Sequence, residues 1–426
     1  MTSITQPTTV VRCGVLVDVV RGELLPDHDV VVVGDRVADV RMRGPVPDGA
    51  TVVDRTASWV VPGLIDCHAH LIGDLDDGHG YAGIVMSTGA RDALTGVRNA
   101  RDTLLAGVTT VRDVGSFRAF TDVALRDAID RGWVVGPRML CSGAYVTVRG
   151  GGGDITGLAP DVDAVLPRDL RYGVVNGVDD VRDAVRRLIH GGAGLIKVIA
   201  TGAVLTEGTS PGAPELTEDQ LRAAVDEASL YDVHVAAHAH GAEGIKRAVR
   251  AGVRSIEHGS LIDDEGIALM VERGTWLVAD IYNGDYIAET GTRDGWSAET
   301  LRKNADTTDA QRAGFRKAVA AGVNIAYGTD SGVYPHRDSL RQLPYLVRHG
   351  LTPMQALQAA TVRAAECLGW SDQVGAIEPG RYGDLVAVDT DPFADELAAF
   401  ATPSLVMKGG TVVLDAPASR VDQRAR

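Results

Sequence analysis

The chain has 426 residues, of which 45% are hydrophobic and 23% are charged, a balance that is ordinary for a soluble globular protein. Its formal net charge of −15 argues against a general binder of nucleic acid or of an anionic membrane surface. This length exceeds the usual size of a single core, so we expect one large domain and a smaller one.

The cysteines and the apolar segments indicate a cellular compartment. Cys13, Cys67, Cys141 and Cys367 are widely spaced and include no Cys-x-x-Cys pair, which is typical of a reducing environment. The first residues show no basic stretch followed by an apolar core, so no signal peptide is predicted. No apolar run approaches the roughly 20 residues of a membrane helix. We therefore expect a cytoplasmic protein with neither a membrane nor a nucleic-acid partner.

Short strand-like segments occur near both ends of the chain. Between residues 9 and 58 they are separated by turn residues such as Gly34-Asp35. Strand-like segments occur again at Leu385–Asp389 and Ser404–Leu414. Neither end is long enough to make a good core alone. We predict that residues 1–58 and 374–426 together form one small β-sandwich domain.

Between these ends, apolar strand-like runs alternate with helical periodicity, which predicts parallel βα units. One predicted helix opens with Thr217-Glu218-Asp219-Gln220, a capping-box pattern. Eight strands in residues 59–373 predict the α/β class and a (β/α)8 TIM barrel, with an open doubly wound sheet as the alternative. The predicted strands are Trp59–Cys67, Val108–Asp113, Arg138–Ser142, Leu195–Ala200, Val233–Ala239, Val253–His258, Thr275–Asp280 and Val323–Tyr327.

Three long connections follow the carboxyl ends of predicted strands, at 71–89, 144–177 and 281–306. In a (β/α)8 barrel this face carries the active site. Long loops there predict lids and substrate pockets rather than packing segments.

Polar side chains recur where the predicted strands end. His68 and His70 are two residues apart after an apolar run, so both side chains can point to one face of an extended strand. Imidazole is the commonest ligand of catalytic metals. The other strand-end positions are Lys197, His238, His258 and Asp330. Nitrogen ligands and a carboxylate on one rim predict a metal site.

Lys197 lies inside a fully apolar strand, where an unpaired ammonium is costly, and its cation would repel metal ions. If carbon dioxide carbamylated its amine, the side chain would become a carboxylate able to bridge two ions. Glu257, beside His258, is expected to point away from it by strand alternation, toward the helices or toward the groups behind the site.

These motifs resemble the amidohydrolase superfamily of binuclear metal hydrolases over roughly residues 10–415. The motifs are PGLIDCHAHL, IKVIATGAV, AAHAHG, SIEHGS and YGTDSG, with flanking matches in GVTTVRDVG, LTPMQALQAATVRAAECLG and GAIEPGRYGDLVAVDTDP. Within that superfamily the chain is most similar to the Xaa-Pro dipeptidase and zinc carboxypeptidase group, which is related to the imidazolonepropionases.

The resemblance implies two divalent metal ions, with zinc as the family default. His68 and His70 would hold the buried ion with Asp330, and His238 and His258 would hold the more exposed one. Carbamylated Lys197 would bridge both ions together with a hydroxide. Two such ions lower the pKa of bound water and polarise the scissile carbonyl.

The resemblance also implies roles beyond metal binding. Asp330 would carry the proton from the attacking water to the leaving group. His240 shares a face with His238 and is a candidate hydrogen-bond donor to the substrate or the transition state. Relatives are commonly homo-oligomers, so we expect one here.

The sequence departs from the dipeptidase pattern at three places. Gly152, in Gly150-Gly151-Gly152-Gly153-Asp154, occupies the place of a substrate-binding histidine. Ala279-Asp280 replaces a Pro-Thr pair, and Gln342-Leu343 replaces Glu-Leu. We predict that Tyr145 or Arg149 replaces the missing donor, with Arg149 able to clamp a carboxylate. Tyr282 is a further candidate substrate residue.

The sequence therefore predicts a hydrolase that cleaves an amide bond in a small-molecule substrate, a dipeptide or an N-acyl amino acid. The alternative substrates are a non-peptide amide, carbamate, urea or lactone, xenobiotics included. A third alternative is a barrel that has lost catalysis and only binds a ligand. The metal-site positions are intact, which favours the enzyme.

Overall fold

The structure, a computed structural model, describes residues 6–73 and 82–416. Residues 74–81 of the predicted 71–89 connection lie outside the described residues, as do the outermost residues of the predicted end domain. The strands, in chain order, are β1 (Thr8–Asp18), β2 (Glu23–Pro26), β3 (His28–Val33), β4 (Arg36–Met42), β5 (Thr51–Pro62), β6 (Leu64–Ala69), β7 (Val108–Asp113), β8 (Arg138–Cys141), β9 (Tyr145–Val148), β10 (Val174–Val175), β11 (Leu195–Ile199), β12 (His234–Gly241), β13 (Ser255–Leu261), β14 (Trp276–Val278), β15 (Asn324–Ile325), β16 (Leu385–Val388), β17 (Leu405–Lys408) and β18 (Thr411–Asp415).

Helices alternate with the central strands. The helix that begins at Glu218 has the predicted capping box, since Thr217 Oγ1 accepts from Gln220 N at 3.2 Å and Gln220 Oε1 accepts from Thr217 N at 2.9 Å. Across the described ranges, no helix combines the length and the apolar character needed to span a bilayer. The helices are α1 (Ala82–Met86), α2 (Gly89–Leu105), α3 (Thr121–Asp130), α4 (Pro160–Asp163), α5 (Val178–His190), α6 (Glu218–Ser229), α7 (Ala242–Ala251), α8 (Asp264–Arg273), α9 (Asn283–Thr290), α10 (Ala298–Ala321), α11 (Gln342–Arg348), α12 (Pro353–Ala359) and α13 (Val362–Leu368).

One mixed sheet joins the two ends of the chain. Its strand order is β18-β17-β16-β5-β1-β3-β4, and β2 pairs with β1. The alternation of valines along β1 and β3 places apolar side chains on one face, and these form a core of their own with residues of β16 and β17. The two ends therefore share a sheet, as predicted, but the division of that sheet into a two-layer sandwich is not confirmed.

The central strands form two parallel sheets of a TIM-barrel-like α/β fold. One has the order β10-β9-β11-β12-β13-β14-β15 and the other β6-β7-β8. Hydrogen bonds connect the two sheets at both borders: Gly194 N donates to Cys141 O at 2.8 Å, and Cys67 N donates to Tyr327 O at 2.8 Å. The sheets thus bring the carboxyl ends of all these strands to one side of the molecule.

Two details differ from the predicted elements. The run Trp59–Cys67 is two strands, since Trp59 to Pro62 end β5 in the mixed sheet and Leu64 begins β6. Gly63 lies between them. This residue is a glycine because Thr109 and Asp384 approach its backbone too closely for a side chain. The predicted 144–177 connection contains β9 and β10, which extend the larger parallel sheet beside β11.

The junction at Gly63 provides a test of the packing between the mixed sheet and the parallel strands. A Cβ at this position would lie 2.2 Å from Thr109 Oγ1 and 2.8 Å from Asp384 Cβ. Gly63→Ala should therefore reduce the free energy of unfolding by about 1–3 kcal/mol, the usual cost of overpacking. Denaturant unfolding measures it, with Gly44→Ala as the control because its nearest contact would be 3.7 Å away. Equal stability of both variants would contradict this account.

Candidate active site

The six predicted ligand positions converge at the carboxyl ends of the parallel strands. Asp330 Oδ1 lies 3.3 Å from His68 Nε2 and 3.1 Å from His70 Nε2. The ring centroids of His68 and His258 are 4.8 Å apart, and those of His238 and His258 are 4.6 Å apart. Five of the six residues, all except His70, are more than nine-tenths buried. The six residues are His68, His70, Lys197, His238, His258 and Asp330.

The ligand atoms form two overlapping groups. Those of His68, His258 and Asp330 lie within 4.8 Å of one another, and those of His238, His240 and His258 do the same. His240 therefore lies as close to the second group as His238 does, and its ring stacks on His258 at a centroid distance of 4.7 Å. The proximity alone does not distinguish His238 from His240 as the ligand.

Hydrogen bonds on the far side of each ring fix which nitrogen faces the site. His70 Nδ1 donates to the carbonyl of Gly115 at 2.7 Å, and His68 Nδ1 lies 2.8 Å from Glu257 Oε2. Since both partners are acceptors, each Nδ1 carries a proton, and in the neutral ring each Nε2 then presents a lone pair to the site.

The histidines of the second group follow the same rule. His238 Nε2 donates to Gly202 O at 3.2 Å, which leaves Nδ1 toward the site. His258 Nδ1 lies 3.0 Å from Asp280 Oδ1, which leaves Nε2. His240 differs, because its Nδ1 lies 2.8 Å from the Ser260 hydroxyl, which can either donate or accept.

This arrangement fits a divalent cation. With the proton on Nδ1, the Nε2 atoms of His68 and His70 carry lone pairs that face Asp330 Oδ1, at 3.3 Å and 3.1 Å. His68 Nε2 is buried and has no hydrogen-bond partner among the described residues. Electron pairs that face each other in a buried site are unfavourable until a cation lies between them.

Backbone strain turns two of these side chains toward the site. His258 has a φ of 67° and Asp330 a φ of 55°, both in the left-handed region. The carboxylate of Glu257 contacts the ring nitrogen of His68 that points away from the ligand cluster, so Glu257 lies behind the site, which is one of the two positions predicted for it. The rings of His258 and His68 are also neighbours, so the strand alternation that would separate Glu257 from His258 does not hold at His258.

Glu257 belongs to a buried ionic network. Arg112 Nη2 donates to Glu257 Oε1 at 2.7 Å, and Ser255 Oγ donates to the same oxygen at 2.5 Å. Although burial favours the neutral acid, the Arg112 guanidinium and His68 hold the pKa of the Glu257 carboxyl well below its usual range. Glu257 is therefore a carboxylate, which fixes the tautomer of His68.

Asp280 supports His258 in the same way. Its Oδ1 accepts from Gln311 Nε2 at 2.9 Å as well as facing His258, and its Oδ2 accepts from Asn283 Nδ2 at 2.9 Å. Asn283 Nδ2 also donates to Asp330 Oδ2 at 2.9 Å. The sequence showed Asp280 only as a departure from a family motif. Because Asp280 follows the strand next to that of His258, a contact between the two side chains could have been predicted from the order of the strands.

Lys197 is 1% exposed and lies among these histidines. Burial lowers the pKa of Lys197 to about 8, with the neighbouring Arg112 acting in the same direction. A neutral amine is consequently accessible close to physiological pH.

A cavity opens on this cluster, with an empty volume of about 1570 Å³ including its mouth. Tyr145 and His240 line it, and Tyr145 Oη donates to Gly115 O at 3.0 Å. Arg149 and Tyr282 are not among the described residues that line it. The Arg149 side chain is 61% exposed beside Asp163, and the Tyr282 ring packs against Tyr334 and Tyr345.

Gly152 lines the cavity but is held tightly between two loops. Its N donates to Glu215 Oε2 at 2.8 Å, and its carbonyl accepts from Thr206 Oγ1 at 2.6 Å. A Cβ here would lie 3.1 Å from Thr201 O and from Ala203 N. A histidine here, as in the family pattern, would therefore require the 201–203 backbone to move by a few tenths of an ångström.

Comparisons with known proteins agree with this site. The model of the amidohydrolase family matches residues 59–413. An ochratoxinase of Aspergillus niger is 31% identical over 421 residues, which cover 94% of this chain and 86% of the relative. A crystal structure of a Xaa-Pro dipeptidase with bound methionine is 34% identical with a TM-score of 0.88, over 95% of this chain and 99% of that one. A prolidase complexed with N-methylphosphonate-L-proline is 32% identical with a TM-score of 0.87, over 96% and 100%.

The contact between Asp280 and His258 makes a prediction about metal affinity. Asp280→Asn keeps the shape of the side chain but removes the charge that orients His258. The affinity of the protein for an added divalent ion should fall about 10- to 100-fold, the usual effect of losing such a partner. Competition with a chromophoric chelator measures the affinity. Asp29→Asn, at a buried carboxylate of the mixed sheet, is the control and should leave the affinity unchanged.

Proposed function

This chain belongs to the amidohydrolase family, and on that premise we propose that it is a binuclear metal-dependent hydrolase of dipeptides or N-acyl amino acids. The family and its relatives point to a hydrolase. The observation that carries the proposal is the set of histidine nitrogens left as lone pairs around Asp330. The dipeptidase, prolidase and ochratoxinase relatives, at about a third identity over nearly the whole chain, support the substrate class.

In this proposal His68, His70 and Asp330 would hold one divalent ion, His238 and His258 would hold the other, and Lys197, as a carbamate, would supply a carboxylate ligand to both. The neutral amine of Lys197 attacks carbon dioxide, a C–N bond forms, and a proton is released. When bound, two divalent ions, with zinc the expected metal, lower the pKa of a water molecule and polarise the scissile carbonyl.

The chain's own residues move the protons. Asp330 accepts a proton from the attacking water and delivers it to the leaving nitrogen. Asn283 donates to Asp330 Oδ2, so the other oxygen, Oδ1, stays directed toward the ligand cluster. The left-handed backbone at Asp330 adds to this fixed orientation.

His240 supplies a hydrogen bond to the substrate carbonyl. Burial and the neighbouring His258 lower the pKa of His240 to about 3, so its ring is neutral at physiological pH. When the Ser260 hydroxyl donates to Nδ1, Nε2 carries the proton and can donate it to the oxygen on which charge develops. Tyr145, which also lines the cavity, contacts substrate from the side of His70.

We also propose a division of the chain into two domains. Residues 59–373 would form a closed (β/α)8 barrel, and residues 1–58 and 374–426 would together form a small β-sandwich domain. A cytoplasmic location and a homo-oligomeric state complete the proposal. Arg149 and Tyr282 are left without a substrate role in it, because neither lines the cavity.

Hydrolysis of a non-peptide amide, carbamate, urea or lactone is the second candidate. It is favoured by Gly152, because this chain lacks the histidine of the dipeptidase pattern and could take one only if the 201–203 backbone moved. The position of Arg149 favours it too, since a dipeptide carboxylate would lack the clamp predicted there.

Metal content and the bridging lysine test the chemistry. The purified protein should contain about two divalent ions per chain, because the ligand sets form two groups. Lys197→Ala should lose hydrolysis by at least about 100-fold and retain less metal, since the bridging ligand is gone. Elemental analysis and turnover assays measure both. A metal-free wild-type protein with full activity would rule out the proposal.

A substrate screen separates the two candidates. Dipeptides and N-acyl amino acids are compared with aryl amides, carbamates, ureas and lactones at equal concentrations of the metal-loaded enzyme. We expect the highest kcat/KM in the first set. Turnover confined to the second set would replace the first candidate by the second and leave the metal chemistry intact.

A further inference from the structure

We propose that Lys303 is a positioning residue that fixes one wall of the substrate cavity, and that this wall contacts the bulky apolar group of the substrate. The wall consists of Ala203, Val204 and Leu205, which line the cavity and are called the 203–205 wall below. This inference rests on the proposed hydrolytic function and names a determinant of its substrate range.

The 203–205 wall belongs to the loop that follows β11, the strand of Lys197. It has no regular secondary structure of its own, so side chains must hold it in place. Thr209 Oγ1 contributes within the loop, since it donates to Thr206 O at 2.9 Å. Local bonds of this kind shape the loop but do not fix it relative to the histidines.

Lys303 fixes the loop to helix α10. Its Nζ donates to Thr206 O at 2.8 Å and lies 3.5 Å from Ala203 O, so its two carbonyl partners bracket the wall. Lys303 is only 7% exposed, and a lysine this deeply buried is stable only with such partners. Glu299, one turn earlier, lies 2.6 Å from Lys303 Nζ and also accepts from Gly208 N at 3.0 Å.

The opposite edge of the loop is held by the glycine loop around Gly152. Thr206 Oγ1 donates to Gly152 O at 2.6 Å, so Thr206 is bound on one side by α10 and on the other by Gly152. Thr206, the residue that follows the wall, is therefore held by two contacts. Removing the lysine breaks the contact with α10, while the contact with Gly152 remains.

Helix α10 also faces the substrate space directly. Asn304, Thr307 and Thr308 line the cavity and follow Lys303 within about one turn and a half of the helix. Phe117 and Ile287 also line the cavity and supply further apolar surface. A shift of Val204 and Leu205 against these fixed groups changes the width of the apolar space. Gly202, whose carbonyl holds His238, is fixed separately because its N donates to Ala213 O at 3.1 Å, so the histidines and Asp330 stay where they are.

The test compares Lys303→Met and Lys303→Arg in the metal-loaded full-length enzyme, with Lys317→Met as the matched control. Lys317 lies on the same helix, is 62% exposed and pairs with Asp264 on the surface. Two substrate series are used: acetyl, benzoyl and 2-naphthoyl derivatives of phenylalanine, and acetyl derivatives of glycine, leucine and tryptophan.

For Lys303→Met we expect KM to rise about tenfold for the bulkiest members of one of the two series, the one whose varied group contacts the wall, because that apolar contact is lost. KM for the smallest members, kcat and metal content should stay within about twofold of wild type, since the chemistry is untouched. Lys303→Arg should restore KM, and Lys317→Met should not change it. A uniform fall of kcat for all substrates, or unchanged KM throughout, would overturn the proposal.

Amide hydrogen exchange separates this proposal from the proposed function. In Lys303→Met, residues 203–209 should exchange faster than in Lys317→Met, whatever reaction the enzyme catalyses. If wild type hydrolyses no substrate of either series but the exchange changes as expected, the proposed substrate class fails and the role of Lys303 in holding the wall stands. Unchanged exchange overturns that role.

Discussion

The site depends on one repeated interaction, the hydrogen bond that each candidate ligand histidine makes with its far ring nitrogen. The acceptors are the carbonyls of Gly115 and Gly202 and the carboxylates of Glu257 and Asp280. Each acceptor comes from a different strand or strand end than its histidine. The lone pairs therefore converge only when the parallel strands are assembled in register, which couples the chemistry of the site to the fold.

Burying these acceptors requires further partners. Glu257 would be unfavourable beside β6 without the Arg112 guanidinium, and Asp280 is stabilised by amide donors from Gln311 and Asn283. The two carboxylates differ in this respect, because one has a buried cation and the other has neutral donors. The difference places a full positive charge behind His68 and none in direct contact with Asp280.

Much of this could be predicted from the sequence, because strand-end residues carry a local signal. The apolar runs identified the parallel strands, and polar residues at their ends identified the six positions that the structure brings together. The supporting groups lack such a signal. Asp280 acts on His258 across neighbouring strands, and the left-handed φ of His258 breaks the alternation that would place Glu257 and His258 on opposite faces. Arg149 illustrates the limit for loops, since its exposed position depends on the course of the 144–177 segment, which contains two strands rather than the predicted irregular connection.

The glycine at position 152 connects the rim of the cavity to the candidate metal ligands. A side chain there would press on Thr201 O and Ala203 N, each 3.1 Å from the place of its Cβ. These atoms flank Gly202, whose carbonyl fixes the ring of His238 at 3.2 Å. Restoring the family histidine at this position would therefore move the loop that orients a ligand. The absence of that histidine is thus built into the present geometry of the site, and a change of substrate range at Gly152 would require the 201–203 backbone to move with it.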